Sequence, residues 1–154
     1  MLEVPSKIFN RKLDEVEIGV STISLFSKDE LDEAQKGYRV DAKNNENKEW
    51  IGKEFVVIGN DSCCGDPIIA KVDEEQIPVF SMFHDDWKSL GKVAESFEQY
   101  VDVLGMIKET DLYRSDKIAE LKNKIKNVVP EESMYYWEDL ISAAFDYLAY
   151  DYGE

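Results

Sequence analysis

The chain has 154 residues, of which 44% are apolar and 12% aromatic, enough for one folded domain with a substantial core. Its 33 acids and 18 bases leave a net charge of −15, which argues against nucleic acid or an anionic membrane as partner, since both are bound through Lys and Arg. No apolar run approaches the length of a membrane span, and no basic stretch leads into an apolar one at the start, so a cytoplasmic protein without a secretory signal is expected.

Ile23 and Leu25 alternate with polar neighbours and predict a half-buried strand. Ser27-Lys28-Asp29-Glu30 then forms a capping box, in which Ser and Glu satisfy each other's backbone N–H groups. A short helix follows, with Leu31, Ala34 and Tyr38 at near-helical spacing and Gly37 as its stop. Residues 41–49 are polar, include three Asn, and predict a mobile loop. Phe55-Val56-Val57-Ile58 is continuously apolar and bounded by Gly59, the pattern of a central strand buried on both faces. Residues 68–72 predict another strand, 73–76 a turn, and 77–80 the opening of a further strand. Pro78 has no N–H and belongs at a strand start or an edge.

The period then changes. Val93, Phe97, Tyr100, Val101 and Leu104 form one helical stripe, with Gly105 as its stop. Ile118, Leu121, Ile125 and Val128 predict a helix over 115–127 that ends before Pro130. Met134, Trp137, Leu140, Ile141, Ala144 and Leu148 predict a last one over 133–150. Short connections between strands, followed by helices, predict an α+β fold: an antiparallel β-meander sheet with helices packed on one face, in a single domain.

The charge is uneven. Residues 55–107 hold 10 acids and 3 bases, and residues 128–154 hold 7 acids and no base, so these segments are the candidate surfaces for a cationic partner. The same acidity also serves solubility. Asp61, Asp66, His84, Asp85 and Asp86 fall in turns that could converge at one end of the sheet. A metal-dependent hydrolase needs such a cluster, but no metal-binding spacing such as HExxH is present, and acidic turns serve equally as solvent-facing connections. Cys63 and Cys64 are adjacent, so a bond between them is strained, and a zinc site would need thiol or imidazole ligands that one His cannot supply. No phosphate-binding glycine loop occurs, and no metal or cofactor is expected.

Tyr38, Trp50 and Trp87 lie near predicted loop or helix ends, where aromatic side chains either anchor an interface or close a layer edge. The outer face of the last helix carries Tyr135, Glu138, Asp139, Ser142, Asp146 and Tyr150, followed by Asp151-Tyr152-Gly153-Glu154. Acids beside tyrosines suit Arg and Lys, through ion pairs and cation–π contacts, though such a face also reads as ordinary solvated helix. Lys117, Lys122, Lys124 and Lys126 on the preceding helix offset this acidity.

Gln35-Lys36-Gly37-Tyr38, Trp50, Val57-Ile58-Gly59-Asn60-Asp61, Gly65-Asp66-Pro67-Ile68, Pro78-Val79-Phe80, His84, Trp87 and Ala94-Glu95-Ser96-Phe97 stand in an order and spacing that resembles the SUKH superfamily. That group includes bacterial immunity proteins and a yeast regulator of cell-wall glucan synthesis. The resemblance covers residues 24–104. Cys63-Cys64 departs from it where Gly or small polar residues are usual, and Asp85-Asp86 after His84 departs where a Gly-containing run is common. The resemblance implies an α+β fold and a non-enzymatic binding role, with Tyr38, Trp50 and Trp87 shaping a cleft. It further implies an immunity protein that binds and neutralises a cognate toxin, often a nuclease and therefore basic. A cytoplasmic scaffold or regulator of cell-wall synthesis is the second role it implies.

Overall fold

The computed structural model describes residues 2–152, with side chains described as far as Leu148. Strands β1 (Glu15–Ile18), β2 (Ser21–Leu25), β3 (Phe55–Asp61), β4 (Pro67–Lys71), β5 (Val79–Phe83) and β6 (Asp86–Ala94) form one sheet in chain order. Every neighbouring pair is antiparallel, so the sheet is a meander. Helix α1 (Leu31–Ala34) lies between β2 and β3, and α2 (Phe97–Lys108), α3 (Ser115–Lys126) and α4 (Met134–Tyr152) follow the sheet. This is the expected α+β architecture. Among the described residues no helix is long and apolar enough to cross a membrane.

Alternation along the strands divides the core in two. Val56, Ile58, Ile68, Ala70, Val79 and Val93 face α2, α3 and α4, where they pack with Tyr100, Leu104, Leu121, Ile125, Trp137 and Ile141. Val57, Ile69 and Met82 face the other way, under Phe26, Tyr38, Trp50, Phe55, Phe80, Trp87 and Leu90. Both faces are covered, and β3 and β4 accordingly read as continuous apolar runs. The second cover comes from the segment after α1. In it Asp41 Oδ1 accepts from the N–H groups of Lys43 and Asn45, and Asn47 Nδ2 donates to the Tyr38 carbonyl. The expected polar loop is therefore a set of side-chain-built turns.

Several boundaries differ from the sequence reading. β3 does not stop at Gly59 but runs on to Asp61, and a Cβ at Gly59 would collide with the Ser24 carbonyl oxygen of β2. The glycine permits close strand approach instead of ending a strand. β1 and β6 are additional strands, and Val93, read as part of a helical stripe, is buried in β6. Gly105 lies within α2, which continues to Lys108 because Leu104 and Ile107 remain packed. Val129, and not Val128, takes the buried position after α3. The capping box at Ser27 forms, and Pro78 immediately precedes β5 as expected.

Gln35 closes a gap that the strand register leaves. The β2–β3 ladder ends where Leu25 pairs with Gly59, so Val57 has no β2 partner. The buried Gln35 amide replaces one: its Oε1 accepts from the Val57 N–H at 3.0 Å, and its Nε2 donates to the Val57 carbonyl at 2.7 Å. Nε2 also donates to the Leu31 carbonyl at 2.9 Å, which ties α1 to the sheet. Gln35→Met keeps the length and removes all three bonds, leaving buried backbone groups unpaired. The expected loss is about 2–4 kcal/mol of unfolding free energy in urea titration; a loss below about 0.5 kcal/mol would mean that Val57 finds other partners.

Candidate functional site

In a meander, alternate hairpin turns share one end of the sheet. The β1–β2, β3–β4 and β5–β6 turns therefore lie together, although they are separated by tens of residues in the chain. Helix α4 crosses this end. Gly19 of the first turn has φ +64°, and a Cβ there would sit 2.6 Å from Ala144 Cα, so the turn lies directly on the helix backbone. At the start of α4, Ser133 Oγ donates to the Lys92 carbonyl and Trp137 Nε1 to the Val93 carbonyl, both at 2.9 Å. The Tyr135 hydroxyl occupies the space that any side chain at Gly91 would need.

Between these anchor points the turns and α4 enclose a cleft of 340 Å³. Buried Ile68 and half-buried Leu140 contribute apolar lining, and Asp61, Asp66 and Asp139 contribute carboxylates. Val20, Phe83 and Tyr135 stand exposed around it at 51%, 60% and 50%. None of the residues lining the cleft is Lys or Arg. Cys63 and Cys64 are also among them, as exposed free thiols on the β3–β4 turn.

Two of the three carboxylates are held by backbone N–H groups of the turns. Asp61 Oδ1 accepts from the Cys63 N–H at 2.9 Å. Asp66 Oδ1 accepts from the His84 N–H at 3.0 Å and lies 3.0 Å from His84 Nδ1, which joins the β3–β4 turn to the β5–β6 turn. Both use Oδ1 for these bonds, which leaves each Oδ2 for a ligand. Asp61, Asp66 and His84 thus converge as the sequence suggested, but as braced turns. Among the described residues no three His, Cys, Asp or Glu side chains are arranged to hold a metal ion.

The other sequence candidates do not line the cleft. Asp85 and Asp86 are exposed at the β5–β6 hairpin, where Asp86 Oδ1 accepts from the Lys88 N–H. Glu138 and Asp146 lie on α4 and do not line the cleft. Tyr38, Trp50 and Trp87 lie on the opposite face of the sheet, with successive ring centroids 5.9 and 5.2 Å apart, and Trp50 Nε1 donates to the Phe55 carbonyl. They cover the second core cluster and do not shape this cleft. The side chains of Tyr150, Asp151 and Tyr152, and Gly153 and Glu154 entirely, lie outside the described residues.

Sequence reasoning missed Val20, Phe83 and Tyr136. One signal was available: Tyr135-Tyr136-Trp137 are consecutive on a helix, and three neighbouring aromatics cannot all face one core. Trp137 takes the core, Tyr135 the rim of the cleft, and Tyr136 the boundary between them. The Tyr136 hydroxyl lies 3.2 Å from that of the buried Tyr100. Burial pushes both phenols well up, and the nearby Asp61 carboxylate adds to the shift in each. The Tyr135 phenol is raised as well, by burial and then by Asp139.

A raised phenol favours the protonated form in the folded state. The stability that Tyr100 and Tyr136 contribute in this way is present in full below the ordinary phenol value of about 10 and is lost as pH rises above it. In phenolate absorbance titration, two of the eight tyrosines are expected to ionise only as the chain unfolds. Tyr136→Phe should reduce the steep alkaline loss of stability that these two cause. Ionisation of all eight along one ordinary curve in the folded state would contradict the raised phenols of this pair.

No family model, curated protein or solved structure matches this chain.

Proposed function

We propose that this protein is a cytoplasmic, non-enzymatic binding module that holds a basic protein partner at the cleft between α4 and the three hairpin turns. One observation carries the reading. Three carboxylates and three exposed apolar side chains share a single concave site that no lining cation neutralises. An interface centre combines exposed aromatic area with groups that fix orientation, and this cleft has both. The net charge of −15 extends the attraction beyond contact distance and speeds encounter with a cationic surface.

The resemblance to the SUKH superfamily gives the partner a role. In this reading it is a cognate toxin, in many cases a nuclease, whose basic substrate-binding surface is blocked by the acidic cleft. Nucleases hold phosphates with Lys and Arg, so an acidic inhibitor competes for the residues that the substrate needs.

Asp61→Asn/Asp66→Asn/Asp139→Asn is the discriminating variant, because Asn keeps the Oδ1 acceptor that braces the turns at 61 and 66 and removes the charge. The wild-type chain is expected to capture one basic partner from its source cells at one-to-one stoichiometry and to abolish that partner's activity when added in equal amount. The triple variant should associate about tenfold more slowly at low salt, with the difference shrinking near roughly 0.3 M salt. If a molar excess leaves the captured partner fully active, the neutralising role fails. Several partners, all indifferent to the variant, would support a scaffold instead.

A further inference from the structure

We infer that the cleft is a socket for one arginine side chain presented by the partner. The inference rests on the reading of this cleft as the partner-binding surface and names the group that enters it.

The lining matches the three parts of an arginine. Its aliphatic stem needs an apolar wall, which Ile68 and Leu140 provide. Its guanidinium is planar and weakly hydrated, and it stacks on aromatic faces; the exposed Phe83 and Tyr135 flank the opening. Its N–H fork pairs with carboxylates, and Asp61, Asp66 and Asp139 line the same space. Asp61 and Asp66 are positioned before any ligand arrives, since their turns already hold Oδ1. A lysine ammonium would meet the charge but would lose the stacking and the paired hydrogen bonds. The Tyr135 position adds specificity. Its hydroxyl is seated against Gly91, which places the ring at the edge of the cleft.

Charge complementarity selects this occupant over an apolar one. An apolar side chain would cover three carboxylates without bringing a cation to them, which is costly in a partly enclosed site. A second copy of this chain is disfavoured by the same charge, because each copy carries −15.

The test titrates N-acetyl-arginine amide into the isotopically labelled full chain and follows amide and aromatic chemical shifts. N-acetyl-lysine amide and N-acetyl-citrulline amide, the neutral isostere of the first, are run in parallel. Saturable shifts are expected at Asp61, Asp66, Phe83, Tyr135 and Asp139 with the arginine probe, weaker ones with lysine and none with citrulline. Asp66→Asn/Asp139→Asn should weaken the apparent affinity at least about fivefold. Tyr135→Ala should weaken it about threefold. Retained spectral dispersion shows that each variant is folded.

Equal shifts with citrulline would overturn the inference. So would shifts spread with the same strength over Asp73-Glu74-Glu75 and Glu131-Glu132, which would mean diffuse attraction to acidic surface. The outcome is separable from the proposed function. A captured partner that binds the double variant as tightly as the wild type leaves a binding protein without an arginine socket. Arginine binding at the cleft without inhibition of any captured partner keeps the socket and removes the neutralising role.

Discussion

The hydrogen bond from Trp137 Nε1 to the Val93 carbonyl sets the position of everything on α4. Trp137 is fully buried, with Tyr100 and Tyr136 rings at 5.4 and 4.9 Å, and a buried indole N–H requires a partner. Val93 lies on β6, the last strand of the sheet, and the neighbouring Lys92 carbonyl accepts from Ser133. Two side chains near the start of one helix thus hold it against a strand that has no further strand beside it, which also limits edge pairing with other chains. Helical spacing then dictates the rest. Ile141 and Ala144 follow Trp137 into the core, while Tyr135, Asp139 and Ala143, at steps of four, border the cleft. The last contact, Ala144 on Gly19, closes the far side.

What was legible in the sequence was what repeats. The stripes of α3 and α4 repeat over three or more turns, so spacing alone assigns Ile118, Leu121, Ile125, Trp137, Ile141 and Ala144 to inward faces, and all six are buried. The apolar runs of β3 and β4 were legible because they are continuous. β6 was not. Its sequence, Asp-Trp-Lys-Ser-Leu-Gly-Lys-Val-Ala, is half exposed along most of its length and contacts both clusters only through scattered residues. Val93 and Phe97 are four apart and both in the core, a spacing that imitates a helix across a strand–helix boundary. Gly59 and Gly105 read as stops by residue type. Each is instead internal to an element whose packing outweighs a propensity cost of about 1 kcal/mol.

The site itself was legible only in fragments, because it is made by topology. Acidic turns, an aromatic-acidic helix face and a lone His were each visible, and nothing in their spacing said that Asp66 would meet His84 while Trp87, three residues further on, would face the other side of the sheet. Strand alternation separates those neighbours, and the meander unites the distant turns. Val20 and Phe83 are ordinary apolar residues in the sequence. They become informative once the fold leaves them exposed beside one another's turns.

Folding of this chain works against its own charge. Bringing Asp61, Asp66 and Asp139 to one partly enclosed cleft raises the local negative potential, and the tyrosines register it: Tyr136 feels Asp61 and Asp66, and Tyr135 feels Asp139. A sequence selected for stability alone would place a Lys or Arg there, as it does elsewhere with Lys71 beside Glu74 and Lys12 beside Asp102. Nine ion pairs between Lys or Arg and a carboxylate form among the described residues, and none of the three cleft carboxylates joins one. The fold thus leaves negative charge uncompensated where it is also concave and apolar. Sequence and fold agree across most of the molecule and disagree locally here, and this local disagreement is what supports the proposed binding role of the cleft.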